Sequence, residues 1–131
     1  MMVGEGLPRT ARLQSSREFE EVYRQGWKAH TRHFVLQGLT RPAPRFRLGI
    51  TVSRKVGPAH ERNLVKRRVR EFVRRHRPEL QRALAPAAEQ EGLDLVVIAK
   101  PGAAGLSQEE AERELWAGVQ RRREAGARSP G

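Results

Sequence analysis

When apolar residues recur every third or fourth position and most of the rest are arginine or lysine, a segment has one good way to fold. It forms a helix with one side buried and the other in water. Ala59 to His76 is such a segment. Val65, Val69, Phe72 and His76 fall on one side, and Asn63, Lys66, Arg67, Arg70 and Arg74 fall opposite. Arg62, Arg68 and Arg75 flank the apolar stripe. The rest of the chain must supply a core for one face and leave the other open.

The charge is as concentrated as the pattern. Between Arg41 and Arg77 there are thirteen Arg or Lys against two acids, Glu61 and Glu71, a net charge of +11. The whole 131-residue chain is also +11, so the other 94 residues sum to zero. A solvated helix face normally mixes signs. A stripe of one sign is the footprint of a polyanion-binding surface. The basic helix has no Trp- or Leu-rich face to insert into lipid, so nucleic acid is the expected partner and a membrane is not.

Around this helix the sequence predicts an α/β chain. Ser15 with Glu18 has capping-box spacing, Phe19, Val22 and Tyr23 share a helix face, and Gly26 stops that helix. His33 to Thr40 reads as a strand. Phe46, Leu48, Ile50 and Val52 alternate with Arg47, Gly49, Thr51 and Ser53 in a second strand, expected to form a hairpin with the first. Pro78 ends the basic helix, and a short helix from Glu79 to Gln90 follows. Leu93 to Lys100 is a third strand, and Ser107 with Glu110 caps a last helix running to about Arg123. Residues 1–11 and 124–131 read as flexible ends of one domain spanning 12–123.

Catalytic and cofactor signatures are absent. The only Asp is Asp94, among apolar neighbours, whereas metal-assisted hydrolysis needs several converging carboxylates. His30, His33, His60 and His76 show no metal-ligand spacing, and His76 on the apolar stripe reads as a core or helix-end residue. There is no cysteine and no glycine-rich nucleotide loop, so no metal site and no small-molecule cofactor are expected. The first twelve residues lack the apolar stretch of a signal peptide, and a cytoplasmic location is expected. Phe19 and Tyr23, one turn apart, offer two aromatic faces to unpaired bases, although such a pair also suits a core.

At Arg62-Asn63, Lys66-Arg67 and Arg70 the sequence resembles the Arg-Asn-x-x-Lys-Arg-x-x-Arg signature of the bacterial ribonuclease P protein component. Phe46 to Gly57 resembles the family's strand and following turn, Phe19 to Gly26 and Arg32 to Leu36 its first helix and strand, and Asp94 to Lys100 its last strand. These blocks follow the family's order and cover about residues 12–120.

The resemblance implies an α+β fold. It would be a two-layer sandwich of a mixed, about four-stranded sheet with helices on one face, a left-handed βαβ crossover, and the fold shared with ribosomal protein S5. It implies that a partner RNA carries the chemistry, removal of the 5′ leader of precursor tRNA with Mg²⁺ held mainly by that RNA. The protein alone would not be catalytic. Arg62, Asn63, Lys66, Arg67 and Arg70, with Arg68 and Arg74 at the periphery, would face the catalytic RNA. Phe19, Tyr23 and Lys55, with Arg54 at the rim, would hold the leader. Two positions depart from the family pattern. Leu64 stands where many members carry a third basic residue, and Gln37 where an aromatic is common. Leader contact is then expected to rest more on charge and hydrogen bonds. The alternatives are a ribosomal or other structural RNA-binding protein and, more remotely, an autonomous metal-dependent nuclease.

Overall fold

A computed structural model describes residues 11–42, 45–85 and 92–128, with side chains described as far as residue 125. Readings that fall on 1–10, 43–44, 86–91 and 129–131 lie outside the described residues. These include most of the ends expected to be flexible and the far part of the helix expected to reach Gln90.

Four strands form one sheet in the order β1-β2-β4-β3: β1 Trp27–His30, β2 Phe34–Arg41, β3 Phe46–Val52 and β4 Gly92–Ala99. β2 runs antiparallel to β1 and β4, whereas β3 runs parallel to β4. The expected hairpin between β2 and β3 does not form, because β4 lies between them. The reason is burial. Nearly every β4 residue is buried, so this strand needs neighbours on both edges and cover on both faces. β3 and β4, being parallel neighbours, are joined through a helical crossover.

That crossover contains α2, Ala59–Leu84. Its apolar stripe is buried as the periodicity requires, with Val73 and Leu80 added to Val65, Val69 and Phe72. Pro78 does not end the helical run. The break comes two residues earlier, where His76 leaves helical geometry at φ −117° and ψ 16°. A proline ring collides with the preceding turn of a continuous helix, and the kink relieves that collision. His76 packs there against Phe72 and Trp116. The last helix, α3, spans Gln108–Arg128, five residues past its expected end. Ser107 and Glu110 exchange the two hydrogen bonds of a capping box at its start.

α2 and α3 cover one face of the sheet, where Phe34, Leu36, Phe46, Leu48, Leu93, Leu95 and Val97 join the main core. The helices are not all on that face. α1, Ser16–Gln25, lies on the other, where Val22 meets Leu13, Val96, Leu39 and Ile98. Gly26 ends α1 and lets it turn straight into β1, for a Cβ there would sit 2.3 Å from the Gly38 carbonyl oxygen. Just before α1, Ala11 is buried, and the Leu13 N–H donates to the Leu48 carbonyl at 2.9 Å along the outer edge of β3.

α1 is held to its face by charge. Asp94 on β4 is wholly buried, 0% exposed. Arg47 on β3 donates to both its oxygens from Nε and Nη2 at 2.9 and 2.8 Å, and Arg41 on β2 donates from Nε at 2.8 Å. Each arginine also reaches α1: Arg41 to Glu21 at 3.0 Å and Arg47 to Glu18. Burial alone would raise the Glu18 pKa. Hydrogen bonds from the backbone of Gln14 and Ser15 and from Arg47 outweigh it and hold this carboxyl at about 2.

Replacing Asp94 with Ala leaves two guanidiniums facing an empty buried position. Urea denaturation should show a loss of about 3–5 kcal/mol, and a loss below about 1 kcal/mol would contradict a supporting role for the network. Glu18, depressed on folding, contributes stability that is complete above its ordinary value of 4.5 and is lost as pH falls toward about 2. Glu18→Gln should therefore flatten the fall of the unfolding midpoint across that window, and an unaltered pH profile would contradict the assignment.

Candidate nucleic-acid interface

The arginines and lysines of the cationic segment divide by what holds them. Arg41 and Arg47 serve Asp94. Arg62 donates to the Gly57 carbonyl at 3.2 Å. Arg68 donates to the Ala104 and Leu106 carbonyls in the short 3-10 turn Ala103–Gly105 and just after it. Arg74 and Arg75 pair with Glu71, and Arg75 also reaches Glu112 on α3. Arg77 lies over the Phe46 ring, its guanidinium carbon 5.6 Å from the centroid. Among the described residues, Arg45, Arg54, Lys55, Lys66, Arg67 and Arg70 have no such partner.

Lys66 and Arg70 meet at the rim of a 140 Å³ hollow between α2, β3 and the segment before α1. Arg12 lines the same hollow, and its Nε is buried with no hydrogen-bond partner among the described residues. Arg70 is partly desolvated there and feels the charge of Arg12, and for both reasons its pKa is lowered. Two cations facing one another with no carboxylate between them are a place prepared for an anion such as a phosphate oxygen. Arg12 also lines a 440 Å³ hollow with Arg45, Arg47, Gln14 and Glu18. Nothing in the sequence marked Arg12: it lies outside the basic segment and belongs to no periodic pattern. Only the pairing of its backbone with β3 at Leu48 brings it to α2.

Phe19 belongs to two hollows. On one side its ring faces Lys66 and Arg70. On the other it lines a 480 Å³ hollow with Tyr23, Ser16, Glu20 and Thr51. Its centroid is 6.4 Å from that of Tyr23, with the rings tilted by 52°. Tyr23 is 37% exposed, and its hydroxyl lies 3.2 Å from Thr51 Oγ1. Gly49 is what leaves room for the Phe19 ring, since a Cβ there would approach it to 2.5 Å. So the sequence reading that placed Phe19 and Tyr23 on one face holds, and the two rings are half core and half surface.

The other candidate residues are placed less uniformly. Asn63 and Arg67 are exposed on the outer side of α2. Arg54 and Lys55 are exposed in the 3-10 turn Arg54–Val56 after β3, but line neither of the two hollows that Phe19 walls. Arg68 is tied to backbone carbonyls, and Arg74 to Glu71. Gln37 is buried on the α1 side of the sheet opposite Val96, its Oε1 unpartnered, and is not among the residues lining the Phe19–Tyr23 hollow. No three His, Asp or Glu side chains among the described residues converge where a metal ion could sit.

This division generates a stability test. Arg68→Ala removes charged donors from two carbonyls and should cost about 1–3 kcal/mol in urea denaturation, whereas Arg67→Ala should leave the midpoint in place. Equal losses would contradict the division.

Residues 7–123 match the family described as Ribonuclease P. The chain is 37% identical over 103 residues to the ribonuclease P protein component of Leuconostoc mesenteroides, spanning 78% of this chain and 81% of that one. It is 34% identical over 110 residues to the component of Levilactobacillus brevis, spanning 83% and 86%. In structure it resembles the ribonuclease P protein of Staphylococcus aureus, with a TM-score of 0.72 and 27% identity over 84% of this chain and 93% of that one. The Thermotoga maritima protein gives 0.68 and 28% over 84% and 96%. The chain belongs to the ribonuclease P protein family, the protein subunit of the endoribonuclease that matures the 5′ ends of tRNA.

Proposed function

We propose that this chain, through one RNA-binding domain, joins the catalytic RNA of ribonuclease P to the 5′ leader of precursor tRNA across the hollow walled by Phe19. The observation that carries this is the convergence of Lys66, Arg70 and Arg12, all without a carboxylate partner among the described residues, beside a ring that also lines an open hollow. Arg67, Asn63, Lys66 and Arg70 take phosphates of the catalytic RNA, with Arg62 beside them. Arg68 and Arg74, already engaged within the protein, contribute at the periphery through their remaining donors. Phe19 and Tyr23 receive leader nucleotides, and Arg54 and Lys55, exposed one turn beyond Thr51, meet the leader backbone at the rim.

The protein's contribution is electrostatic and geometric. RNA and precursor repel one another, and guanidiniums placed between them neutralise phosphates at the point of approach. The hydrolysis itself, with Mg²⁺ held by RNA phosphates, belongs to the RNA, and the protein lowers the Mg²⁺ needed. The cytoplasm, where tRNA is made, is the setting. No helix among the described residues is long and apolar enough to cross a membrane.

Two measurements test the reading. Arg67→Ala should weaken binding to ribonuclease P RNA and lower the slope of log affinity against log salt by about one. An unchanged slope and affinity would remove Arg67 from the interface. Phe19→Ala should weaken holoenzyme binding of leader-bearing precursor more than of mature tRNA, by about 1–3 kcal/mol if one base stacks on the ring. Equal losses for both RNAs would make Phe19 a core residue only.

A further inference from the structure

α3 is divided by charge. Glu109, Glu110, Glu112 and Glu114, with one base, Arg113, occupy its first half, and Arg121, Arg122 and Arg123, followed by Glu124, its second. The helix dipole favours acids at its start, and three of these acids are engaged within the fold. Glu110 accepts from the Ser107 N–H, Glu112 pairs with Arg75, and Glu114 accepts from Thr31 and His33. The dipole does not explain the arginines. Its influence fades within the last turn, and Arg123 lies more than a turn before Arg128, where the helix ends. Among the described residues no carboxylate, Glu124 included, forms an ion pair with any of the three.

Two of them are nevertheless held. Arg121 donates from Nη1 to the carbonyl of His30 at the end of β1. Arg122 lies over Trp27 of the same strand, its guanidinium carbon 5.0 Å from the ring centroid. Both tethers are uncharged, so each guanidinium keeps its charge and its outer donors while its side chain is pre-oriented. Arg123, about 100° further round the helix, is exposed. β1 is one edge of the sheet and β3 the other. Strand spacing alone separates those edges by about 14 Å. Lys66 and Arg70 close around the β3 edge. The arginines of α3 lie at the opposite, β1 edge.

We propose that Arg121, Arg122 and Arg123 form a second RNA-contact surface, which takes the phosphate backbone of a segment of ribonuclease P RNA separate from the one on α2. The inference rests on the reading that α2 contacts that RNA. Forked guanidiniums with free outer donors suit phosphate oxygens. An anionic lipid surface is disfavoured, because the apolar residues of α3 here, Leu115 and Val119, are buried in the core and leave nothing to insert.

The test measures binding of the full chain to ribonuclease P RNA across a KCl series, for Arg121→Ala/Arg123→Ala and for Arg67→Ala in parallel. Loss of two phosphate contacts should lower the salt slope by about 1.4–1.8. Arg121→Lys/Arg123→Lys should keep the original slope, because lysine preserves the charge but not the guanidinium bond to His30. A slope unchanged in the alanine pair while Arg67→Ala flattens it would overturn this inference and leave the α2 interface standing. A flat response in both would overturn it together with the reading beneath it. Equal losses for the alanine and lysine pairs would overturn it by making the arginines structural. So would loss of binding to phosphatidylglycerol vesicles with RNA binding intact.

Discussion

A carboxylate with no exposure to water needs a counter-charge on every open side. Asp94 obtains it from Arg41 and Arg47, on the two strands that flank β4. These bonds tie three strands together on one face, and the same two arginines extend to Glu18 and Glu21 on α1. The position of α1 over the sheet, and with it Phe19 and Tyr23, follows. The hollow between α1 and the cationic helix is therefore positioned by a cluster of charges paired within the protein.

The same logic sorts the other cations. Within the basic segment some guanidiniums are anchored to carboxylates or carbonyls, and others have no partner among the described residues. Two of those without a partner among the described residues, Lys66 and Arg70, share a hollow with Arg12, whose buried Nε has no partner there either. Net charge describes how strongly a polyanion is attracted to the chain. The distribution of internal partners describes where it can settle, because an arginine already bound to Asp94 has few donors left to offer.

Much of the fold was legible because its signals are local. Ser15 with Glu18 and Ser107 with Glu110 announced two helix starts within four residues each, and both capping boxes form. The apolar stripe of α2 needed only its own period. Pairing was not legible, since β4 reaches its place between β2 and β3 from forty residues downstream of β3. A signal did exist: Leu95–Ala99 is apolar on both faces, as a central strand must be, whereas β3 alternates. β1, four residues long, gave too short a pattern to read. The partners of Asp94 lie 47 and 53 residues away, and no spacing rule links them. The residues proposed to bind RNA divide in the same way. Those on α2 share a helix face and carry the family motif, while Arg12 is brought in by one strand-edge contact and was invisible beforehand.

The central claim is that the protein activates an RNA by charge and position, without chemistry of its own. Its most direct test is precursor-tRNA cleavage at low Mg²⁺ with ribonuclease P RNA alone, with this protein alone, and with both. Cleavage at the mature 5′ end only in the mixture is the expected result. Cleavage by the protein alone, or no rescue of the RNA by the protein, would contradict the claim.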